Sequence, residues 1–152
     1  MRKPDRFRTL RFAGAAAAML STASTAAGAG AETRLAQASP FDGNWMTTLV
    51  CPAYGDAKGY NWQFIGQVRG GQYQGQYGTP GQAGSITVTG PIQPNGAAVL
   101  TARGLTGNPD FTPGHSSQMS PIFYQVTAQF QGAQGSGKRQ EGHPCDLTFV
   151  RQ

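Results

Sequence analysis

Charge is scarce in this chain. Only 12% of its 152 residues are Asp, Glu, Lys or Arg, and the acids number seven. No two acids of residues 32–152 stand close enough in sequence to suggest the carboxylate pair that general acid and base chemistry needs. Histidine occurs twice, at His115 and His143, and neither forms a ligand cluster at metal spacing with the two cysteines. The G-x-S-x-G nucleophile elbow is missing. Gly104-Leu105-Thr106-Gly107 lacks the Lys and the following helix of a phosphate loop. His115-Ser116-Ser117 sets a base beside hydroxyls, but adjacency along the chain is not a catalytic dyad, and the segment reads as a polar loop. No catalytic residue, metal or cofactor is therefore expected, and the chain does not read as an enzyme.

The chain also lacks a long apolar run. The uncharged stretch Phe12–Ala31 has an Ala-rich apolar centre only at Ala15–Leu20, far short of the ~20 residues of a membrane span. Arg2, Lys3, Arg6, Arg8 and Arg11 precede it, and Ala29-Gly30-Ala31 closes it with small residues. That order is the signature of a secretory signal peptide over residues 1–31, with cleavage after Ala31 or after Ala29. The formal charge of +5 belongs mostly to this leader: residues 32–152 carry seven basic against six acidic side chains, a net of +1. A nucleic-acid or anionic-lipid surface loses its basis. The expected location is periplasmic or secreted, without membrane insertion once the leader is removed.

What the sequence has in quantity is glycine, 22 residues, and proline, 10. From Pro40 onward they recur too often for any helix to persist, and strand-like alternation appears between them. Residues 32–39 read as a flexible lead and 40–152 as one domain. Trp45, Thr47, Leu49 and Cys51 share one face of the first strand. Strands are expected over 44–51, 60–69, 72–77, 85–92, 97–104, 122–131, 138–141 and 145–151, with a turn over 132–137 and a long loop over 105–121. Pro94-Asn95-Gly96 marks a hairpin turn. About eight strands joined by short turns predict an all-β fold: an antiparallel up-and-down barrel, with a β-sandwich as the alternative. Export and an even cysteine count predict a Cys51–Cys145 disulfide joining the first strand to the last.

Phe41-Asp42-Gly43-Asn44-Trp45, Cys51-Pro52, Gly90-Pro91-Ile92, Asn95-Gly96-Ala97 and the ending Cys145-Asp146-Leu147-Thr148-Phe149 together resemble a family of small exported bacterial β domains. Its members begin with F-D-G-x-W and end with Cys-x-x-x-F. The resemblance covers residues 41–152, implies kinship of fold and an exported location, and transfers no catalytic residue. More distantly, Gly43-Asn44-Trp45 is similar to the opening strand of bacterial metalloprotease-inhibitor barrels, although their disulfide lies within the N-terminal half. The run Gly71-Gln72-Tyr73-Gln74-Gly75-Gln76-Tyr77 is similar to a hairpin of avidin-like barrels, which line their pocket with more Trp than this chain has.

The candidate binding surface is the 72–77 strand, with Tyr73 and Tyr77 on one face and Gln74 and Gln76 on the other. Aromatic rings beside amides suit sugar rings or extended peptides, although core-facing tyrosines with a solvated glutamine face fit the same pattern. Trp45 and Trp62 read as core residues and Asp42 as a turn residue. Lys138, Arg139 and Arg151 form a modest basic spot or a solvated edge strand. The expected function is an exported, non-enzymatic binding module of the bacterial envelope, its partner an envelope protein or glycan. One alternative is a periplasmic inhibitor of a protease or lysozyme-type enzyme that inserts the 105–121 loop or the N-terminal lead. Another is a small-ligand carrier, which requires a cavity in the barrel.

Overall fold

The computed structural model describes residues 38–152. The leader over 1–31 and most of the lead over 32–39 lie outside the described residues. Eight strands follow one another: β1 (Gly43–Cys51), β2 (Tyr60–Arg69), β3 (Gln72–Tyr77), β4 (Ile86–Pro91), β5 (Ala97–Leu105), β6 (Pro121–Gln131), β7 (Gln134–Arg139) and β8 (Asp146–Arg151). Each pairs antiparallel with the next, and β8 returns to β1, so the sheet closes as an up-and-down barrel. The sandwich alternative is set aside. Closure leaves no unpaired strand edge, so Lys138 and Arg139 do not mark one.

Alternation settles the faces. Trp45, Thr47, Leu49 and Cys51 point inward from β1, and Tyr124, Val126, Ala128 and Phe130 from β6. Several strand ends shift by a single residue from the sequence reading, and β7, expected over 138–141, runs over Gln134–Arg139. Gln134–Gly137 is not a turn but the first half of β7, and the chain turns only at Gly132-Ala133. Gly135 and Gly137 face the interior because the space is already filled. A Cβ on Gly137 would stand 2.9 Å from Val126 Cγ1 and 3.0 Å from the Ala128 Cβ. Gly75, between Tyr73 and Tyr77 on the same face, has the same cause. Gly75 lies across from Gly66 in the β2–β3 pair, and a side chain on either would overlap the Tyr73 ring or hydroxyl.

The two ends of the barrel differ. The strand ends at Gly43, Arg69, Gln72, Gln131 and Arg151 define a closed end. Trp45, Tyr73, Phe130 and Phe149 fill it, with Phe130 4.7 Å from Phe149 and edge-on to Trp45 at 5.2 Å. Phe41 lies over this cluster, and its carbonyl accepts from Trp45 Nε1 at 2.9 Å. Tyr73 and Thr47 join hydroxyls in the core at 2.5 Å, and burial pushes the Tyr73 phenol up to about 12. Asp42 does more than turn the chain. Its carboxylate accepts from the Gly70 and Gly71 amides at 3.0 Å each and from Ser39 N at 3.2 Å. Arg151 then donates to the Pro40 and Asp42 carbonyls at 2.8 and 2.5 Å, so the lead is bound to the β2–β3 turn and to the last strand.

At the other end Cys51 and Cys145 form the disulfide, one step beyond the Val50–Asp146 pair of β1 and β8. The bridge closes a loop of sequence separation 94, for which chain entropy supplies at most about 4–5 kcal/mol.

Three predictions follow from this packing. A Cys51→Ala/Cys145→Ala double variant should lose about 2–5 kcal/mol of unfolding free energy in urea titrations; an unchanged midpoint and slope would show that the bridge does not constrain the unfolded chain. Gly137→Ala should cost about 1–3 kcal/mol through overpacking, and equal stability in the same assay would show that β7 gives way. The backbone amides of Gly71, Gly70 and Ser39, with Arg151, hold the Asp42 carboxyl below its usual range. Its stabilisation is therefore complete above the ordinary aspartate range and is lost as pH falls through the lowered value. Asp42→Asn should be the less stable protein near neutrality and should lose less between about pH 5 and pH 2 than the parent does. Parallel pH profiles for the two proteins would count against the clamp.

Candidate functional site

The open end is built from the opposite strand ends. Inward parity brings Tyr60 and Trp62 there from β2, Tyr77 from β3, Ile122 and Tyr124 from β6 and Arg139 from β7. Trp62 lies between two tyrosines. Tyr77 stacks on it at 4.6 Å with an interplanar angle of 10°, and Tyr60 tilts against it at 4.9 Å.

The segment Thr106–Ser120 folds over this end through two 3-10 turns, Pro109–Phe111 and Pro113–His115. Asn108 caps the first, its side chain accepting from Asp110 N at 3.0 Å. Three connections hold the loop to the neighbouring 52–59 segment. Lys58 N donates to the Asp110 carbonyl at 2.7 Å, the Lys58 ammonium meets the Asp110 carboxylate at 2.7 Å, and Asp56 accepts from Gly114 N at 3.0 Å. Within the loop, buried Thr106 donates to the Ser117 carbonyl at 2.6 Å and accepts from Ser120 N at 2.8 Å. Phe111 comes down edge-on to Tyr60 at 6.0 Å.

Two adjoining hollows, of about 210 and 170 Å³, remain beneath and beside Phe111 and share Tyr60, Trp62, Thr106, Thr112 and Ile122. Arg139, Tyr124 and His143 line the larger. His143 is buried, with Nε2 2.5 Å from the Pro52 carbonyl. A carbonyl only accepts, so Nε2 carries a proton. Its ring stacks on Tyr54 and stands edge-on to Tyr60. Beside it the disulfide holds the same two loops together.

The polar groups of the cup are few. The Arg139 guanidinium carbon lies 4.0 Å from the centre of the Tyr124 ring, a cation–π arrangement. Arg139 Nε is buried and has no hydrogen-bond partner. Burial raises the Tyr60 and Tyr124 phenols above their usual range, and the charge of Arg139 opposes both shifts.

The sequence-predicted binding residues do not form one surface. Tyr73 is 1% exposed and sits in the core. Tyr77 backs the cup by stacking on Trp62 and does not line its hollows. Gln74 and Gln76 lie on the outer wall, where Gln76 Nε2 donates to the Tyr77 carbonyl at 2.8 Å. Trp45 is core as expected, but Trp62 is only partly buried and belongs to the cup. The expected basic spot is also divided. Lys138 points outward and pairs with Asp146 at 2.8 Å, Arg139 enters the open end, and Arg151 serves the closed one. In the loop, His115 Nε2 stands 3.5 Å from an Asp56 carboxylate oxygen, and neither Ser116 nor Ser117 offers its hydroxyl to that ring. A wider depression, of about 760 Å³, lies on the outer wall of β5–β8 among Val99, Thr127, Ser136 and Thr148; its charged pair, Lys138–Asp146, is already joined.

Sequence reasoning missed Tyr60, Phe111, Tyr124, Arg139 and His143 as one cluster. A signal for Arg139 existed: a β7 that begins at Gln134 turns residues 135, 137 and 139 inward by alternation.

The fold and site define a small up-and-down barrel, stoppered by aromatics at one end and hollowed into an aromatic cup at the other. Comparison with family models, with curated proteins and with solved structures finds no match.

Proposed function

We propose that this chain is an exported, non-enzymatic binding module that holds a small aromatic ligand in the open end of its barrel. The leader-like residues 1–31 and the disulfide support export. Among the described residues no helix is long and apolar enough to cross a membrane.

The carrying observation is the asymmetry of the interior. Phe41, Trp45, Phe130 and Phe149 pack the closed end, whereas Tyr60 and Trp62, the latter backed by Tyr77, line a hollow of about 210 Å³ under Phe111. Cups with apolar aromatic walls and a few convergent polar groups are the usual form of small-molecule sites. The 106–120 loop favours this reading over an inserted inhibitory loop, because Lys58 and Asp56 tie it to the neighbouring 52–59 segment and Thr106 braces it internally.

The two tryptophans allow a clean test, because Trp62 lines the cup and Trp45 lies in the closed end. Titration with 2-naphthamide or 2-naphthoate, followed by nuclear magnetic resonance, should shift the Trp62 indole N–H saturably and leave that of Trp45 in place. Trp62→Ala should weaken binding at least tenfold, or about 1.4 kcal/mol. If neither compound gives a saturable shift at Trp62, the cup is not a small-molecule site.

A further inference from the structure

Two arginines have inward parity, one at each end of the barrel, and their surroundings differ. Arg151 lies over the Trp45 ring and donates to the Pro40 and Asp42 carbonyls, beside the Asp42 carboxylate. Arg139 lies over the Tyr124 ring, closer at 4.0 Å, yet its side chain makes no hydrogen bond and no ion pair among the described residues. The residue is only partly buried, but its Nε is cut off from water, and a buried donor without a partner is costly unless an acceptor meets it.

The acids at this end do not supply that acceptor. Asp110 is joined to Lys58, Asp56 to Gly114 N and His115, and Asp146 to Lys138. Glu141 is exposed and makes no ion pair. Two further donors stand around the guanidinium. The hydroxyls of Tyr60 and Tyr124 make no hydrogen bond within the described residues, and both rings line the hollow that Arg139 lines. All three groups donate hydrogen bonds, as the guanidinium must and as phenols held above their usual range do near neutrality. A set of donors around one hollow, without a protein acceptor among the described residues, is complementary to an acceptor brought by a ligand.

We infer that the cup recognises a small planar aromatic anion, a carboxylate in its simplest form, with Arg139 binding the charged group and Tyr60, Trp62 and Phe111 the ring. The inference rests on the binding-module reading above and adds the class of ligand. A guanidinium presents paired N–H donors that match a carboxylate in two parallel hydrogen bonds. The hollow under Phe111, about 210 Å³, is below the usual range of ligand pockets and so favours a small ring system.

The acid and amide of one ring system separate charge from shape. Calorimetric titration of the full exported protein should give 2-naphthoate at least tenfold tighter affinity than 2-naphthamide. Arg139→Gln should abolish that preference, bringing the acid down to the amide while the amide changes less than twofold. Its fold is checked by the disulfide mass and by the Trp45 resonance. Arg139→Lys keeps the charge and loses the fork, and it should bind the acid several-fold more weakly with the amide unaffected. It also decides the matter if the Gln variant does not fold. Equal affinities for acid and amide in the parent, or an unchanged preference in the folded Arg139→Gln or Arg139→Lys protein, would overturn the inference and leave the cup itself standing. No binding of either compound would remove both.

Discussion

The pairing of β8 back onto β1 is the constraint on which the rest depends. It is the one contact between strands that lie far apart in sequence; every other strand pair is made by neighbours along the chain. A meander of local hairpins has no reason to close until its ends find each other, and the loop-closure entropy of that last step is the largest in the molecule. The Cys51–Cys145 bridge sits one residue beyond the β1–β8 ladder and acts on that step. At the opposite end Arg151 and Asp42 fasten the same seam to the lead and the β2–β3 turn. The seam is therefore held covalently where the barrel is hollow and by hydrogen bonds where it is full.

That division follows from side-chain volume. A small closed barrel has an interior just wide enough for its own side chains, so large residues on one strand require small ones across from them. Gly66 and Gly75 accommodate Tyr73, and Gly135 and Gly137 accommodate Phe130, Val126 and Ala128. The closed end consumes the available width with four aromatic rings. Toward the open end the aromatics stack along the wall rather than across the lumen, as Trp62 on Tyr77 shows. The 106–120 loop has to roof the remaining space, and its polar connections run outward to Lys58 and Asp56 instead of into the hollow.

The fold was largely legible because its signals are local. Period-two alternation, Gly and Pro punctuation and the Asn95-Gly96 turn each act within a few residues, and together they place β2 and β3 at their observed bounds. The misplaced start of β7 came from treating glycine as punctuation. In Gln134-Gly135-Ser136-Gly137 the glycines alternate like core residues because their partners on β6 are bulky, and that fact belongs to the neighbouring strand. The candidate site was less legible for the same reason. Tyr73, Gln74, Gln76 and Tyr77 are adjacent in sequence, but a strand sends adjacent residues to opposite faces. The cup collects Tyr60, Phe111, Tyr124, Arg139 and His143 from β2, the 106–120 loop, β6, β7 and the β7–β8 connection. Only the barrel's closure and the folded-over loop make them neighbours.

Scarcity of charge makes the position of each charge informative. Among the described cations, Lys58 and Lys138 are joined to carboxylates at the surface. Arg69 is exposed, as is Arg103, which lies on the outer Phe123 ring. Arg151 is anchored to carbonyls. Each is accounted for by solvent, by a counter-charge or by the fold. Stability alone gives no reason to turn Arg139 inward, because an apolar residue at that register would pack on Tyr124 without the desolvation cost. Its aliphatic stem adds apolar contact, but that contact does not require a charged head with a buried, unpartnered Nε. Among the described residues, the single buried side-chain donor that the protein leaves without an acceptor is this Nε, and it is the feature on which the proposed recognition of an anion rests.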